Sequence, residues 1–335
     1  MSEPGWVIIL VVILAIIFDF TNGWNDAANA IATVVSTRVL TPLQAVLLAG
    51  ILNVAGAFYS TAVAKTIGKG IVDPTAVTQL TVAAALVGGI VWNGGMTLIG
   101  MPVSASHALI GGIMGAAIAH GGVGILNFTG LKPIFAAMVI SPVLGLVLGL
   151  LFMGGLGWLF FRASPTWANP LFRRLQIVSV SFMAFSHGTG DAQKVMGVIT
   201  LALVSGGYLQ TMEVPWWVIL VAAVTMGLGT AVGGWRVVKT LGLQMLKLQP
   251  VHGFAAETTA AMIIIGASDM GVPVSTTHTI TTSIMGVGAA QRLSAVRWGL
   301  SLKILYAWLF TLPGAGLAAY LAYQALHLGM AWAGG

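Results

Sequence analysis

Two copies of one short hydroxyl-rich motif lie far apart in the chain. Residues 102–107 read Pro-Val-Ser-Ala-Ser-His, and residues 273–278 read Pro-Val-Ser-Thr-Thr-His. Serine and threonine hydroxyls after a proline can cap a following helix, and the free N–H groups at a helix start can hold an anion. The motifs therefore predict an anion site, although two hydroxyl-rich kinks without a ligand would read the same way. The candidate anion donors are Ser104, Ser106, Ser275, Thr276 and Thr277.

Carboxylates and amides interrupt the first apolar segment, residues 6–36. An aspartate at the centre of a membrane span costs about 2.5–3.5 kcal/mol on insertion scales, so such groups usually face a cavity, a partner or an ion. We expect the helix to break at Asn22-Gly23, where freed carbonyls and side-chain oxygens would suit Na⁺. A polar cluster that only holds helices together is the structural alternative. The candidate coupling-ion ligands are Asn22, Asn25, Asp26 and Asn29.

Three further ionisable residues lie inside apolar segments of the second half. Asp191 and Lys194 are three residues apart in residues 172–200, so they can form an ion pair on one helix face. Alternatively, Lys194 is a cation that faces a negative substrate. Glu257 can be a proton or cation site, or a structural partner of Lys194 or of a loop arginine.

The composition indicates an all-α polytopic membrane protein. Of the 335 residues, 58% are hydrophobic and only 7% are charged, whereas soluble domains carry about a quarter charged residues. With no cysteine, the chain has no disulfide or thiol nucleophile. The net charge of +6 is typical of positive-inside loops, and the basic residues form no aromatic–basic patch for nucleic acid.

An internal duplication accounts for the order of these features. Residues 65–68 (Lys-Thr-Ile-Gly) correspond to residues 239–242 (Lys-Thr-Leu-Gly), and equal spacings lead from each motif to a lysine and a proline. We expect a first membrane repeat at 1–161 with a reentrant hairpin near 95–120, and a second at 175–335 with a hairpin near 272–291. Residues 162–174 are the predicted linker. Our count of an even number of spans per half leaves the expected inversion of the repeats open.

These residues together resemble the inorganic phosphate transporter (PiT) family, and the Gln-Lys ending of the second signature resembles its bacterial branch. Residues 23–29 match the family signature Gly-x-Asn-Asp-x-x-Asn in full. Residues 188–194 correspond to the second signature but depart from it at two positions. The family usually has asparagine at the position of Gly190 and often has it at the position of Lys194. The resemblance covers nearly the whole chain.

The resemblance implies symport of inorganic phosphate with Na⁺ or H⁺. It also implies inverted repeats in which two hairpins meet two broken helices near the membrane centre. Asp26 and Asp191, with Asn25 and Asn29, become candidates for the cation and substrate sites, and the five motif hydroxyls become phosphate donors. The departure at Gly190 removes one oxygen from a Na⁺ site at Asn25, Asp26 and Asp191, which favours H⁺.

We therefore expect a secondary transporter of the inner (plasma) membrane that works by alternating access. Its expected partners are inorganic phosphate and the lipid bilayer, and both a homodimer and a cytoplasmic accessory protein are compatible with the sequence. No cofactor is expected besides the coupling ion, H⁺ or Na⁺. The alternatives are a symporter of another oxyanion such as sulfate, an anion channel and a structural membrane protein; no enzyme motif assembles.

Overall fold

The computed structural model describes residues 4–333, which form helices joined by short connections. The α-helices in chain order are α1 (Trp6–Ser36), α2 (Pro42–Ala57), α3 (Ala62–Gly70), α4 (Gln79–Ile99), α5 (Ala105–Gly121), α6 (Phe128–Leu159), α7 (Pro165–Ser205), α8 (Trp216–Val232), α9 (Trp235–Lys239), α10 (Pro250–Asp269), α11 (Thr276–Gln291) and α12 (Trp298–Ala333). A π-helical turn at Thr240–Gln244 extends α9, and 3₁₀ turns cover Val123–Ile125 and Leu293–Ala295. The predicted all-α class is confirmed.

Five of the described helices are long and apolar enough to cross a membrane, and up to seven crossings result if each bent helix pair counts as one. The pair α2–α3 bends by 72°, and α8 bends by 60° into α9 and its π-helical turn. Large apolar side chains such as Val139 and Leu151 on α6 are exposed, as lipid-facing residues are. The chain is a multi-pass membrane protein with bent helices.

The predicted break at Asn22-Gly23 is wrong, because α1 runs unbroken through both residues. Gly23 instead allows α1 and α8 to pack closely: a Cβ atom on it would lie 3.2 Å from the Cα atom of Gly229. Small residues commonly serve this purpose between membrane helices. The breaks fall at residues 58–61 and 233–234.

Two helical hairpins carry the hydroxyl-rich motifs. Residues 100–104 join α4 to α5, and residues 270–275 join α10 to α11. Gly100 and Gly271 open these turns with φ values of +76° and +68°, which glycine adopts without steric cost. The first turn lies inside the predicted interval 95–120, and the second overlaps the predicted interval 272–291. The first arm of each hairpin begins earlier than predicted, at Gln79 and at Pro250. Each motif therefore lies between the two arms of a helical hairpin.

The predicted linker 162–174 is mostly helical. Only residues 160–164 separate α6 from α7, because Pro165 occupies the first turn of α7, a position where proline needs no hydrogen-bond donor.

The second arm of each hairpin packs against a long helix of the other half. The first-half arm α5 packs against α12, and the second-half arm α11 packs against α6. At the centre, α1 runs antiparallel to α7: Asp26 lies near Asp191, and further along α1 Thr37 bonds to Gln176. The two halves therefore interlock around the polar residues of α1 and α7.

Candidate functional site

Both motif serines cap a helix, as expected for hydroxyls at a helix start. Ser104 precedes α5 and accepts a hydrogen bond from the backbone N–H of His107 at 3.2 Å. Ser275 precedes α11 and accepts one from the N–H of His278, also at 3.2 Å. Each hydroxyl accepts through oxygen at its cap, so its own hydrogen remains free to be donated to another group.

The two motifs contact each other through reciprocal hydrogen bonds. Ser106 Oγ donates to the carbonyl oxygen of Val274 at 3.3 Å, and Thr277 Oγ1 lies 3.1 Å from the carbonyl oxygen of Val103. Ser106 and Thr277 are equivalent positions of the duplicated motif, as are the two valines. The structure thus brings together the five hydroxyl residues predicted from the sequence.

The hydroxyls of α11 face the two buried aspartates. Thr277 Oγ1 lies 3.1 Å from Asp26 Oδ1, and Thr276 Oγ1 lies 3.2 Å from Asp191 Oδ2 and 3.4 Å from Asp26 Oδ2. Asn29 Nδ2 donates to Thr277 Oγ1 at 3.0 Å. Since a hydroxyl donates only one hydrogen bond at a time, the threonines can switch acceptors when a ligand arrives.

His187 joins the two carboxylates. Its Nε2 atom lies 3.9 Å from Asp26 Oδ2 and 3.6 Å from Asp191 Oδ2. Its Nδ1 atom lies 3.0 Å from Asn53 Oδ1, and the amide of Asn53 donates to Thr230 Oγ1 at 2.7 Å. This arrangement makes Asn53 Oδ1 the acceptor and leaves the Nε2 atom of His187 facing the carboxylates. A proton on Nε2, or a cation bound beside it, would remove the electrostatic repulsion between the two carboxylates.

Lys194 forms the ion pair that its spacing allows, donating to Asp191 Oδ1 on the same face of α7. Both side chains are buried. A buried ion pair that loses one partner leaves an uncompensated charge, so neither residue is free to move independently. We call Asp26, His187, Asp191, Lys194, Thr276 and Thr277 the central cluster.

Two predicted ion ligands lie apart from the central cluster. Asn25 donates to Thr97 Oγ1 on α4 at 2.6 Å, and the amide nitrogen of Asn22 lies 3.9 Å from the sulfur of Met226 on α8. Asn25 is adjacent to Asp26 on an unbroken helix and therefore points in a different direction, towards α4. Asn22 shares a face with Asp26 but lies one turn earlier, beside α8. Of the four predicted ligands on α1, Asp26 and Asn29 contact the cluster hydroxyls.

Glu257 belongs to a second buried group, the Glu257 cluster of Thr33, Gln176, Ser179 and Glu257. Its Oε1 atom accepts from Thr33 Oγ1 at 2.5 Å and from Gln176 Nε2 at 3.0 Å, and Ser179 donates to Oε2. The partners considered for Glu257 from sequence were Lys194 or an arginine, but the hydrogen bonds come from neutral side chains. Neutral donors leave its charge for a proton or cation to balance.

The carboxylates and the histidine of the central cluster are spaced as a small cation would need. One ligand atom each from Asp26, His187 and Asp191 lies within 4.8 Å of the others, a spacing suited to a shared proton or a metal ion. Thr276 and Thr277 at the start of α11 lie beside these carboxylates, and the motif before α5 contacts the motif before α11. Neither His187 nor Asn53 is among the candidate site residues named from the sequence, although a polar residue inside an apolar helix is a signal that could have found both.

Comparisons with known proteins agree on one family. Residues 22–319 match the phosphate transporter family. A Rhizobium meliloti (strain 1021) protein named "Probable low-affinity inorganic phosphate transporter" is 48% identical over 94% of this chain and 95% of its own length. A Bacillus subtilis (strain 168) protein of the same name is 44% identical over 96% of this chain and 97% of its own length. A solved structure titled "The sodium-dependent phosphate transporter" matches with a TM-score of 0.87 and 26% identity, covering 96% of this chain and 99% of that one.

Proposed function

Because the chain belongs to the phosphate transporter family, we propose that it carries inorganic phosphate across a membrane by cation-coupled symport. The family and the matched relatives are transporters, not enzymes. One observation carries the proposal for this chain: the hydroxyl-rich start of α11 contacts two buried carboxylates, one of them paired with a buried lysine, and it also contacts the same motif of the first hairpin.

Phosphate would bind between the two hairpin starts. The proposed donors are Ser104, Ser106, Ser275, Thr276, Thr277 and Lys194. Asp26 and Asp191 would accept hydrogen bonds from the protons that phosphate carries near neutral pH. Sulfate has no such proton under these conditions, so the aspartates would repel it. This difference supports phosphate over sulfate as the substrate.

A coupling cation would make anion entry favourable by neutralising the carboxylates of the central cluster. Support for a proton as that cation comes from Gly190, which provides no side-chain oxygen for Na⁺, and from Lys194, which already places a positive charge beside Asp191. The structural relative titled sodium-dependent is only 26% identical to this chain, which leaves room for another ion. The competing assignment is Na⁺ bound by Asp26 and Asp191. Asn25, which the sequence grouped with them, lies apart from the central cluster and bonds to Thr97.

The crossing order supports an inverted repeat of residues 1–161 and 175–335. If each bent pair is one crossing and α4 and α10 are arms of hairpins instead of crossings, the first half contains the crossings α1, α2–α3 and α6. The second half then contains α8–α9 and α12, together with α7, which we assign as a crossing because it corresponds to α1 in the duplication. Three crossings per half would start the second half on the opposite side of the membrane, as inversion requires.

The proposed location is the plasma membrane, since relatives of nearly equal length come from bacteria. A homodimer and a cytoplasmic accessory protein remain predictions from the sequence.

Uptake of labelled phosphate into proteoliposomes that contain the purified protein tests this function. Na⁺ and pH gradients are imposed separately, and excess sulfate is the competitor. We expect uptake driven by an inward proton gradient and insensitive to sulfate. Uptake that sulfate suppresses would indicate a general oxyanion carrier, non-saturating uptake without coupling would indicate a channel, and uptake driven only by Na⁺ would contradict the proton assignment.

A further inference from the structure

One buried carboxylate belongs to neither cluster. Asp19 lies on α1, seven residues before Asp26 and therefore on the same helix face, about 10 Å away along the axis. Its side chain is 0% exposed, and neither carboxylate oxygen has a hydrogen-bond partner among residues 4–333. Asp26, Asp191 and Glu257 all accept hydrogen bonds, so Asp19 is in a different situation from the other carboxylates within the membrane.

The charges that face Asp19 come from α7. Asp191 and Lys194 are close enough to interact with it electrostatically. The helices α2, α4 and α8 also pack against α1, and their sequences contain no titratable residue. The elements α9, α10 and α11 reach α1 further along, beside Trp24, Thr33 and Asp26 respectively, so the carboxylate of Glu257 on α10 is far from Asp19 along the helix. Asp19 thus interacts with the charges of the central cluster from within a largely apolar environment.

An ionised carboxylate without donors is costly in such a place. Burial of an unpaired charge is avoided in proteins, usually by neutralisation of the group or by a bound cation. A metal ion would need several oxygen ligands around Asp19, and an unbroken helix has already used its backbone carbonyls. The oxygen of Asn22, one turn away on the same face, also lacks a partner among residues 4–333, but it is a single ligand. A proton needs only the carboxylate itself.

We propose that Asp19 is a second proton-binding group of this transporter, separate from the central cluster. A proton from bulk water adds to one carboxylate oxygen, which gives a neutral carboxylic acid, and it returns to water later in the cycle with no other bond changed. The coupling to the substrate is electrostatic. A phosphate bound beside Lys194 disfavours a negative Asp19, so protonation of Asp19 and phosphate binding promote each other to the same extent.

The protonation of Asp19 can be tested without phosphate or transport. Infrared spectra of the purified full-length protein at neutral pH report the carbonyl stretch of protonated carboxylic acids, and ¹³C labelling of aspartate carboxyl carbons separates them from glutamates such as Glu257. We expect an aspartic-acid band in the native protein whose intensity falls in Asp19→Asn and stays the same in Asp73→Asn, a change at an exposed loop carboxylate. An unchanged band in Asp19→Asn would overturn the proposal.

A second variant covers the case in which Asp19→Asn does not fold. In Asp19→Glu the intensity lost from the aspartate-labelled band should appear in the glutamate-labelled set, and an aspartate-labelled band of unchanged intensity would overturn the assignment.

The contribution to coupling rests on the proposed function and has its own measurement. In proteoliposomes, proton entry and labelled phosphate entry are counted together. We expect Asp19→Asn to lower the ratio of protons to phosphate by one, whereas a merely structural role would lower the rate and leave the ratio unchanged. If the native protein moved no phosphate, the proposed function would fail while the infrared result on Asp19 would still stand or fall by itself.

Discussion

Thr66 on α3 donates a hydrogen bond of 2.7 Å to the carbonyl oxygen of Gly271, at the turn of the second hairpin. Its counterpart in the duplicated sequence, Thr240, donates one of 2.8 Å to the carbonyl oxygen of Gly100, at the turn of the first hairpin. Each bent helix therefore holds the hairpin turn of the other half. Alternating access requires the hairpins to move relative to these helices, so each contact is a point at which one conformation can be favoured over the other.

We predict that Thr66→Val and Thr240→Val each shift the balance between the two conformations. Loss of a neutral hydrogen bond costs about 1 kcal/mol, or about fivefold in an equilibrium between conformations. Maximal phosphate uptake should fall by about that factor while the protein remains folded. The matched control is Thr129→Val at an exposed position of α6. If accessibility labelling from the two sides of the membrane changed no more in either variant than in the control, this role would be refuted.

We predict that Asp26→Asn abolishes coupled uptake. The substitution keeps the shape of the side chain but removes the charge that faces His187 and Thr277. Removal of one partner from a buried charged group costs about 2–5 kcal/mol, so uptake should fall by about thirtyfold or more. Measurement is by proteoliposome uptake, with Asp73→Asn as the exposed-carboxylate control. Normal uptake in Asp26→Asn would remove this residue from the mechanism.

We predict that Lys194→Met destabilises the protein and that Asp191→Asn in the same chain restores its stability. Breaking a buried ion pair costs about 3–5 kcal/mol because the other charge is left alone, and the double variant removes both charges. Thermal unfolding in detergent measures the stability, with Lys132→Met, at an exposed position of α6, as the control.

Phosphate binding separates the two interpretations of Lys194. If the lysine only balances Asp191, the stable double variant should bind phosphate as Asp191→Asn alone does. We expect the double variant to bind phosphate at least tenfold more weakly than Asp191→Asn, since the lysine contacts the substrate in the proposed site.

The membrane class, the duplication and most of the central cluster could be predicted because polar residues are costly in lipid and therefore stand out in the sequence. Asp26, Asp191 and the motif hydroxyls are conspicuous for this reason, and equal spacings in the two halves relate them to each other. The prediction of a helix break at Asn22-Gly23 failed because glycine has two uses in membrane helices. Sequence alone did not distinguish a flexible position from a close contact between helices.

The partners of each polar residue were harder to predict. The contacts of His187 with both aspartates and of Glu257 with Thr33 and Ser179 join residues from different helices. Such contacts depend on how the helices are rotated and how far they shift along one another, and a single sequence does not specify these quantities. The hairpin lengths were missed for a related reason, since an arm of 21 residues is as long as a membrane crossing.

We predict that Ser104→Ala and Ser275→Ala each weaken both a helix start and phosphate binding. The loss of a serine cap costs about 1 kcal/mol of stability, and the same hydroxyl is a proposed phosphate donor. Ser164→Ala is a matched control, because Ser164 precedes α7 but makes no side-chain capping bond. If the two motif variants lost stability but kept the apparent phosphate affinity of the control, the serines would be structural caps only.

We predict that Glu257→Gln folds but loses part of its ion coupling. Thr33, Gln176 and Ser179 all direct hydrogen bonds at the carboxylate, and an amide in its place presents one oxygen and an NH₂ group that opposes a donor. Hydrogen bonds to a charged group contribute about 1.5–3 kcal/mol, so thermal stability should fall while the hydroxyls of Thr33 and Ser179 turn to accept from the amide.

Exchange of external for internal phosphate, which needs no net cation movement, should persist while gradient-driven uptake falls. The exposed Glu213→Gln is the control, and equal losses of exchange and driven uptake would show that Glu257 only supports the fold.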